Sequence, residues 1–196
     1  MVRALGLLVF LALGLAQRVD CDATDLRFDL SAPGPAVFYS VGGTSYPVAG
    51  LAAYLALLDA GGSARFLPTE AVGGSNLYRV TCRVTTPGGG GGGGTVFGVG
   101  TTRCLRIAGV SSTLPLDPNG RLYVMVQPVS GTPFTNHAPT FTPLGSLPDN
   151  RGLASFPRNA DALFWIWFLL EIRADDAFPI LPASGTLNLT YRLQND

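Results

Sequence analysis

Apolar and polar residues alternate with a period of two in short bursts along much of this chain. Residues 77–85 run Leu-Tyr-Arg-Val-Thr-Cys-Arg-Val-Thr, placing Tyr78, Val80, Cys82 and Val84 on one face and Arg79, Thr81, Arg83 and Thr85 on the other. A period of two with one apolar face predicts a half-buried strand. Residues 185–193 repeat the pattern, with Leu187, Leu189, Tyr191 and Leu193 opposite Asn188, Thr190 and Arg192. Residues 26–30, 36–41, 95–99, 103–108 and 121–127 are further strand candidates. Segment 51–58 (Leu-Ala-Ala-Tyr-Leu-Ala-Leu-Leu) is ambiguous. Its composition favours helix, but its length and its flanking glycines and prolines allow a buried strand. Many short strands broken by Pro/Gly turns predict an all-β fold, an Ig-like antiparallel β-sandwich.

Three stretches depart from the alternation. Residues 162–170 (Ala-Leu-Phe-Trp-Ile-Trp-Phe-Leu-Leu) are the most apolar block. They are too few to cross a bilayer as a helix, which takes about 20 residues. As a strand, the block is apolar on both faces, so it either lies centrally in a sheet or meets a partner. Trp165 and Trp167 then share a face. With Phe168 they are the candidate partner anchors. The second stretch is the run of seven glycines from Gly88 to Gly94. It lacks the Lys-Ser/Thr of a phosphate cradle and reads as a hairpin loop. The third, 128–160, carries prolines at 128, 133, 139, 143, 148 and 157 and reads as a long irregular surface loop.

The N-terminus alters the compartment. Met1-Val-Arg3 is a short positive start, Leu5 to Leu15 is apolar, and Gly14 and Ala16 are small residues before Gln17. This is the anatomy of a secretory signal peptide over 1–16, leaving a single extracellular or luminal domain over 17–196. In an oxidising compartment, two of the three cysteines (Cys21, Cys82 and Cys104) are expected to pair. Cys82 and Cys104 sit in strand-like segments on either side of a loop and are the expected couple. Closing their loop stabilises the fold by roughly 3 kcal/mol in the chain-entropy model. Cys21 is then left free, or available to bridge to a partner chain. Asn188-Leu-Thr190 is the chain's one glycosylation sequon, with its asparagine on the polar face of the last strand.

Composition narrows the function. The chain has 13 basic residues, all arginine, against 13 acidic ones, and only 13% of its residues are charged. No basic footprint for nucleic acid exists. His137 is the only imidazole, and no Gly-x-Ser-x-Gly elbow accompanies it. No CxxC pair or histidine cluster offers a metal site. Asp175-Asp176, before a Phe-Pro turn, reads as a solvated turn. The expectation is a non-enzyme with no cofactor, no metal and no small-molecule substrate.

Three stretches in order resemble the luminal domain of the uroplakin-3 family. They are Ala53–Ala60 followed by Phe66-Leu-Pro-Thr-Glu70; Tyr78-Arg-Val-Thr-Cys82; and Val99-Gly-Thr-Thr-Arg-Cys-Leu105 followed by Leu114-Pro-Leu116 and Tyr123-Val-Met-Val126. The similarity spans about residues 53–129. It matches Cys82 and Cys104 to two of the family's cysteines, while the family's additional ones are missing. The family's transmembrane helix has no counterpart among the apolar runs after Leu170. The resemblance implies a non-catalytic structural glycoprotein that pairs with a tetraspanin-type uroplakin in plaques of an epithelial apical membrane. The residues alone leave a second reading, a soluble secreted binding module (a ligand or inhibitor) acting through 128–160.

Overall fold

The computed structural model describes residues 17–29, 37–41, 44–48, 63–88, 102–173, 175–176 and 184–195. The leader 1–16, segment 51–58, candidate strand 95–99 and the glycine run beyond Gly88 lie outside the described residues. The strands in the first half are β1 (Arg18–Cys21), β2 (Asp25–Asp29), β3 (Val37–Val41), β4 (Thr44–Val48), β5 (Ser63–Phe66), β6 (Glu70–Val72) and β7 (Arg79–Thr85). They continue with β8 (Arg103–Ser112), β9 (Leu122–Gly131), β10 (Thr135–Asn136), β11 (Thr142–Pro143), β12 (Gly152–Phe156), β13 (Asp161–Arg173) and β14 (Ser184–Asn195). Among the described residues, two single α-helical turns, α1 (Pro118–Arg121) and α2 (Pro148–Arg151), and a 3-10 turn at Leu144–Ser146 lie between strands.

The strands form two six-stranded antiparallel sheets and a separate β3–β4 hairpin. The first sheet has the order β1-β7-β13-β9-β11, and β5 pairs with the end of β13 beyond β7. The second has the order β10-β12-β8-β14-β2-β6. The sheets pack face to face as an all-β sandwich. Strand alternation supplies the core. Val80, Cys82 and Val84 of β7 and Phe164, Ile166, Phe168 and Leu170 of β13 point inward from the first sheet. Leu105 and Ile107 of β8 and Leu187, Leu189 and Leu193 of β14 meet them from the second. The apolar block 162–170 is therefore a central strand, flanked by β7 on one edge and β9 on the other.

Three expectations need correction. First, 128–160 is not an irregular loop. It contains the end of β9, β10, β11, α2 and the whole of β12, a strand hydrogen-bonded between β10 and β8. Leu153, Ala154 and Phe156 are fully buried there, and burying that apolar triplet outweighs the prolines around it. Gly131, at φ +95°, lets this stretch turn tightly against β13, where a Cβ would meet the Asp161 carbonyl oxygen.

Second, the disulfide joins Cys21 to Cys82, not Cys82 to Cys104. Cys21 and Cys82 face each other in the β1–β7 register, with Cα atoms 4.1 Å apart. Cys104 belongs to the other sheet. Its neighbour Leu105 points into the core, so Cys104 lies on the opposite face, and its thiol donates a weak hydrogen bond to the Leu105 carbonyl. Cys82 and Cys104 thus sit in different layers, and a bridge between them is geometrically barred. Cys21 is not available to a partner chain; Cys104 is the cysteine outside the bridge, and it is buried.

Third, Tyr78 does not share the inward face of Val80 and Cys82. It precedes β7 and packs instead on the outer side of the first sheet.

Candidate functional site

The side of the first sheet turned away from the core carries its own apolar cluster. Alternation along β13 sends Leu163, Trp165, Trp167, Leu169, Glu171 and Arg173 outward. Trp167, Leu169, Met125 of β9 and Leu67 after β5 form the buried centre of the cluster. Tyr78, Tyr123, Phe141 and Trp165 form a half-buried aromatic rim around it. An antiparallel sandwich usually presents alternating polar residues on an outer face, so this face stands out chemically. The Trp167 indole N–H donates to Gln127 Oε1 at 3.0 Å, which fixes the ring. Trp165 and Trp167 share one face, as the period of two implies. Phe168 does not join them: it is 0% exposed in the sandwich core and offers nothing to a partner.

Charged groups frame the cluster. Glu171 is 4% exposed and accepts from Arg173 at 2.9 Å, Arg65 at 3.4 Å, the Tyr123 hydroxyl at 3.3 Å and Ser63 Oγ at 3.4 Å. Burial alone pushes this carboxyl up. The Arg173 hydrogen bond, the fields of Arg65 and Arg173 and the Tyr123 hydroxyl outweigh it and hold the group below its usual range. The Arg65 guanidinium lies 4.1 Å over the Tyr123 ring. Arg83 of β7 grips Asp161 of β13 through two hydrogen bonds. Arg79, four residues earlier at the start of β7, stacks on the tryptophans, 3.4 Å from the Trp165 ring centre and 5.3 Å from that of Trp167.

The remaining sequence candidates lie elsewhere. Asn188 and Thr190 are exposed on the outer side of the second sheet, where Asn188 Nδ2 reaches Ser111 Oγ at 3.4 Å. A glycan attached there would project from the face opposite the tryptophans. His137 is sewn to β12, with Nε2 2.8 Å from Ser155 Oγ and its backbone N–H donating to the Leu153 carbonyl. Spacing does not reveal the Ser155 contact, because His137 lies in the bend after β10, 18 residues before its partner on β12. Asp175 and Asp176 sit at a turn; Asp176 accepts from Arg121 at 2.8 Å. A shallow cleft of about 320 Å³ is lined by residues 128–134, none of them titratable. Among the described residues, no group of three or more His, Cys, Asp or Glu could hold a metal. Among them, too, no helix is long and apolar enough to cross a membrane.

No protein-family model, no curated protein and no solved structure matches this chain.

Proposed function

We propose that this chain is a non-catalytic glycoprotein ectodomain of the secretory pathway. In this reading it is a structural β-sandwich of the uroplakin-3 type that pairs laterally with a tetraspanin-type uroplakin. The observation that carries the reading is the second apolar cluster on the outer face of the first sheet. A buried apolar centre ringed by half-exposed aromatics is the anatomy of an interaction hot spot. Trp165 and Trp167 are its anchors. Two of the stretches that resemble the uroplakin-3 family feed this face directly: Tyr78 begins one, and Tyr123 and Met125 belong to another. The Cys21–Cys82 disulfide fits an oxidising compartment and clamps β1 to the sheet that bears the face. Asn188 lies on the opposite side of the sandwich, so a glycan there leaves lateral contact through the tryptophan face unhindered.

Co-expression of the full chain with tetraspanin-type uroplakins in epithelial cells, followed by membrane flotation and affinity purification, tests the proposal. The chain is expected to float with membranes and co-purify with one of them. Recovery only as a free monomer in the medium would overturn the pairing. The cleft at 128–134 favours a second reading, a soluble secreted binding module, and that free monomer is the result it expects.

A further inference from the structure

Five threonines stand directly beside a proline: Thr69, Thr86, Thr132, Thr140 and Thr142. Four of their hydroxyls are engaged in the fold. Thr69 Oγ1 donates to the Arg27 carbonyl at 3.1 Å and accepts from the Asp29 N–H at 2.8 Å. Thr86 is buried; its Oγ1 donates to the Pro157 carbonyl at 2.8 Å and accepts from the Ala160 N–H at 2.7 Å. Thr132 Oγ1 accepts from the Asp161 N–H at 3.0 Å. Thr142 Oγ1 donates to the Thr140 carbonyl at 3.0 Å. Thr140 differs. It is exposed, and its hydroxyl makes no hydrogen bond among the described residues.

The backbone around Thr140 sets that hydroxyl out from the sandwich. Residues 137–141 form the bend that carries the chain from β10 in the second sheet to β11 in the first. The bend is pinned on both sides of its crest. Before it, Ala138 is fully buried, donates its N–H to Asn136 Oδ1 at 3.0 Å and accepts from the Val126 N–H at 2.8 Å. After it, Thr142 pairs with Val124. Thr140 itself belongs to no strand. Pro139 precedes it and Pro143 follows three residues on. Each ring fixes its own φ and removes a backbone donor, which keeps the crest out of helix and ladder. Residues 128–143 hold five serines and threonines and four prolines, the composition of mucin-type O-glycosylated segments. A sugar transferred after folding reaches only hydroxyls that are both exposed and uncommitted. Ser130 and Thr135 are exposed too, but their backbones are paired, to β13 and to β12. The fold therefore narrows the segment to Thr140.

We propose that Thr140 is an O-glycosylation site that takes N-acetylgalactosamine from a nucleoside-diphosphate sugar. Thr140 Oγ1 attacks the anomeric carbon of the donor. The new carbon–oxygen bond forms as the bond from that carbon to the diphosphate breaks, and the hydroxyl proton leaves with the departing nucleoside diphosphate. Nothing is oxidised or reduced. Phe141 of the aromatic rim follows directly, so the sugar stands at the border of the tryptophan face. The inference rests on the secretory-pathway reading above, but not on a tetraspanin partner.

The purified, folded chain is incubated with a polypeptide N-acetylgalactosaminyltransferase and UDP-N-acetylgalactosamine, and the product is mapped by electron-transfer mass spectrometry. One N-acetylhexosamine on Thr140 is the expected result. Thr140→Ala should lose it, Thr140→Ser should keep it, and Thr135→Ala should label as wild type. No transfer, or transfer to Thr132, Thr135 or Thr142 in place of Thr140, overturns the site. The full chain expressed in epithelial cells is mapped in the same way. Thr140 left bare on a chain that has lost residues 1–16 overturns the site and leaves the secretory reading standing. A hexose or deoxyhexose on Thr140 overturns the sugar class. A chain retained in the cytosol with residues 1–16 intact overturns the secretory reading, and with it the modification in cells.

Discussion

Removing Cys21 tests the architecture at the point where it departs most from the sequence pattern. The Cys21–Cys82 bridge closes a segment with a sequence separation of 61 residues. In the chain-entropy model, cross-linking a loop of that size removes roughly 14 cal/mol/K from the unfolded ensemble, which is about 4 kcal/mol at 25 °C. That is a large part of the 5–15 kcal/mol by which a domain is typically stable. Cys21 is only half-buried and sits on an edge strand, so Cys21→Ala deletes the cross-link with little loss of packing. Cys82 is fully buried, so Cys82→Ala adds a packing defect to the lost cross-link. Cys104→Ala removes no cross-link. Urea denaturation of the purified, oxidised chain, with and without reductant, separates the cases. Wild type and Cys104→Ala should lose stability when reduced, whereas Cys21→Ala should already lie low and ignore the reductant. Non-reducing peptide maps should join the Cys21 and Cys82 peptides. The reasoning fails if Cys104→Ala abolishes the response to reductant and Cys21→Ala retains it.

Four further outcomes follow from the packing and the charges. Phe168→Ala should cost about 3–5 kcal/mol because it hollows the core between the sheets, whereas half-buried Trp165→Ala should cost clearly less; thermal denaturation compares them, and equal costs would undo the assignment of faces. Glu171→Gln should destabilise by about 1–3 kcal/mol at neutral pH, since it leaves the Arg65 and Arg173 donors on a neutral acceptor. The Glu171 carboxyl lies below its ordinary value of 4.5 in the folded chain, so its contribution is present above that value and is lost as pH falls through the lower folded one. The stability gap between wild type and Glu171→Gln should therefore close on acidification, and a gap that widens would contradict the ion-pair assignment. The Tyr191 hydroxyl is buried without a hydrogen-bond partner, and burial pushes its ionisation far up. Tyr191→Phe should be neutral or stabilising by about 1 kcal/mol in a urea melt; a marked loss would reveal a partner for that hydroxyl.

Much of the sandwich is legible in the period-two pattern, because each inward face is written locally. Val80, Cys82 and Val84 in β7, and Leu187 to Leu193 in β14, alternate cleanly and face the core. The apolar block 162–170 lies centrally because both of its faces are covered, one by the opposite sheet and one by the aromatic cluster. β12 was obscured because flanking prolines outweigh a short Gly-Leu-Ala-Ser-Phe run in any local reading. The disulfide is illegible in the sequence for a different reason. Strand character shows that Cys82 and Cys104 are each in a sheet, but not that the sheets are different layers and the thiols point opposite ways. Phe168 groups with the tryptophans by composition, but its odd spacing from Trp165 and Trp167 puts it on the other face. The Arg79–Trp165 stack joins two strands and the His137–Ser155 contact joins the bend after β10 to β12, so their signal lies in the tertiary arrangement and not in spacing.

The central claim is that the tryptophan-bearing face of the first sheet is the surface this chain uses. Hydroxyl-radical footprinting of the purified chain, alone and in the proposed complex with a tetraspanin-type uroplakin, reads that face residue by residue. Trp165, Tyr78, Tyr123 and Phe141 should lose labelling in the complex, while Val72, on the edge of the second sheet, keeps its own. Unchanged labelling of the four aromatics, with protection appearing on the Asn188 side of the sandwich, would contradict it.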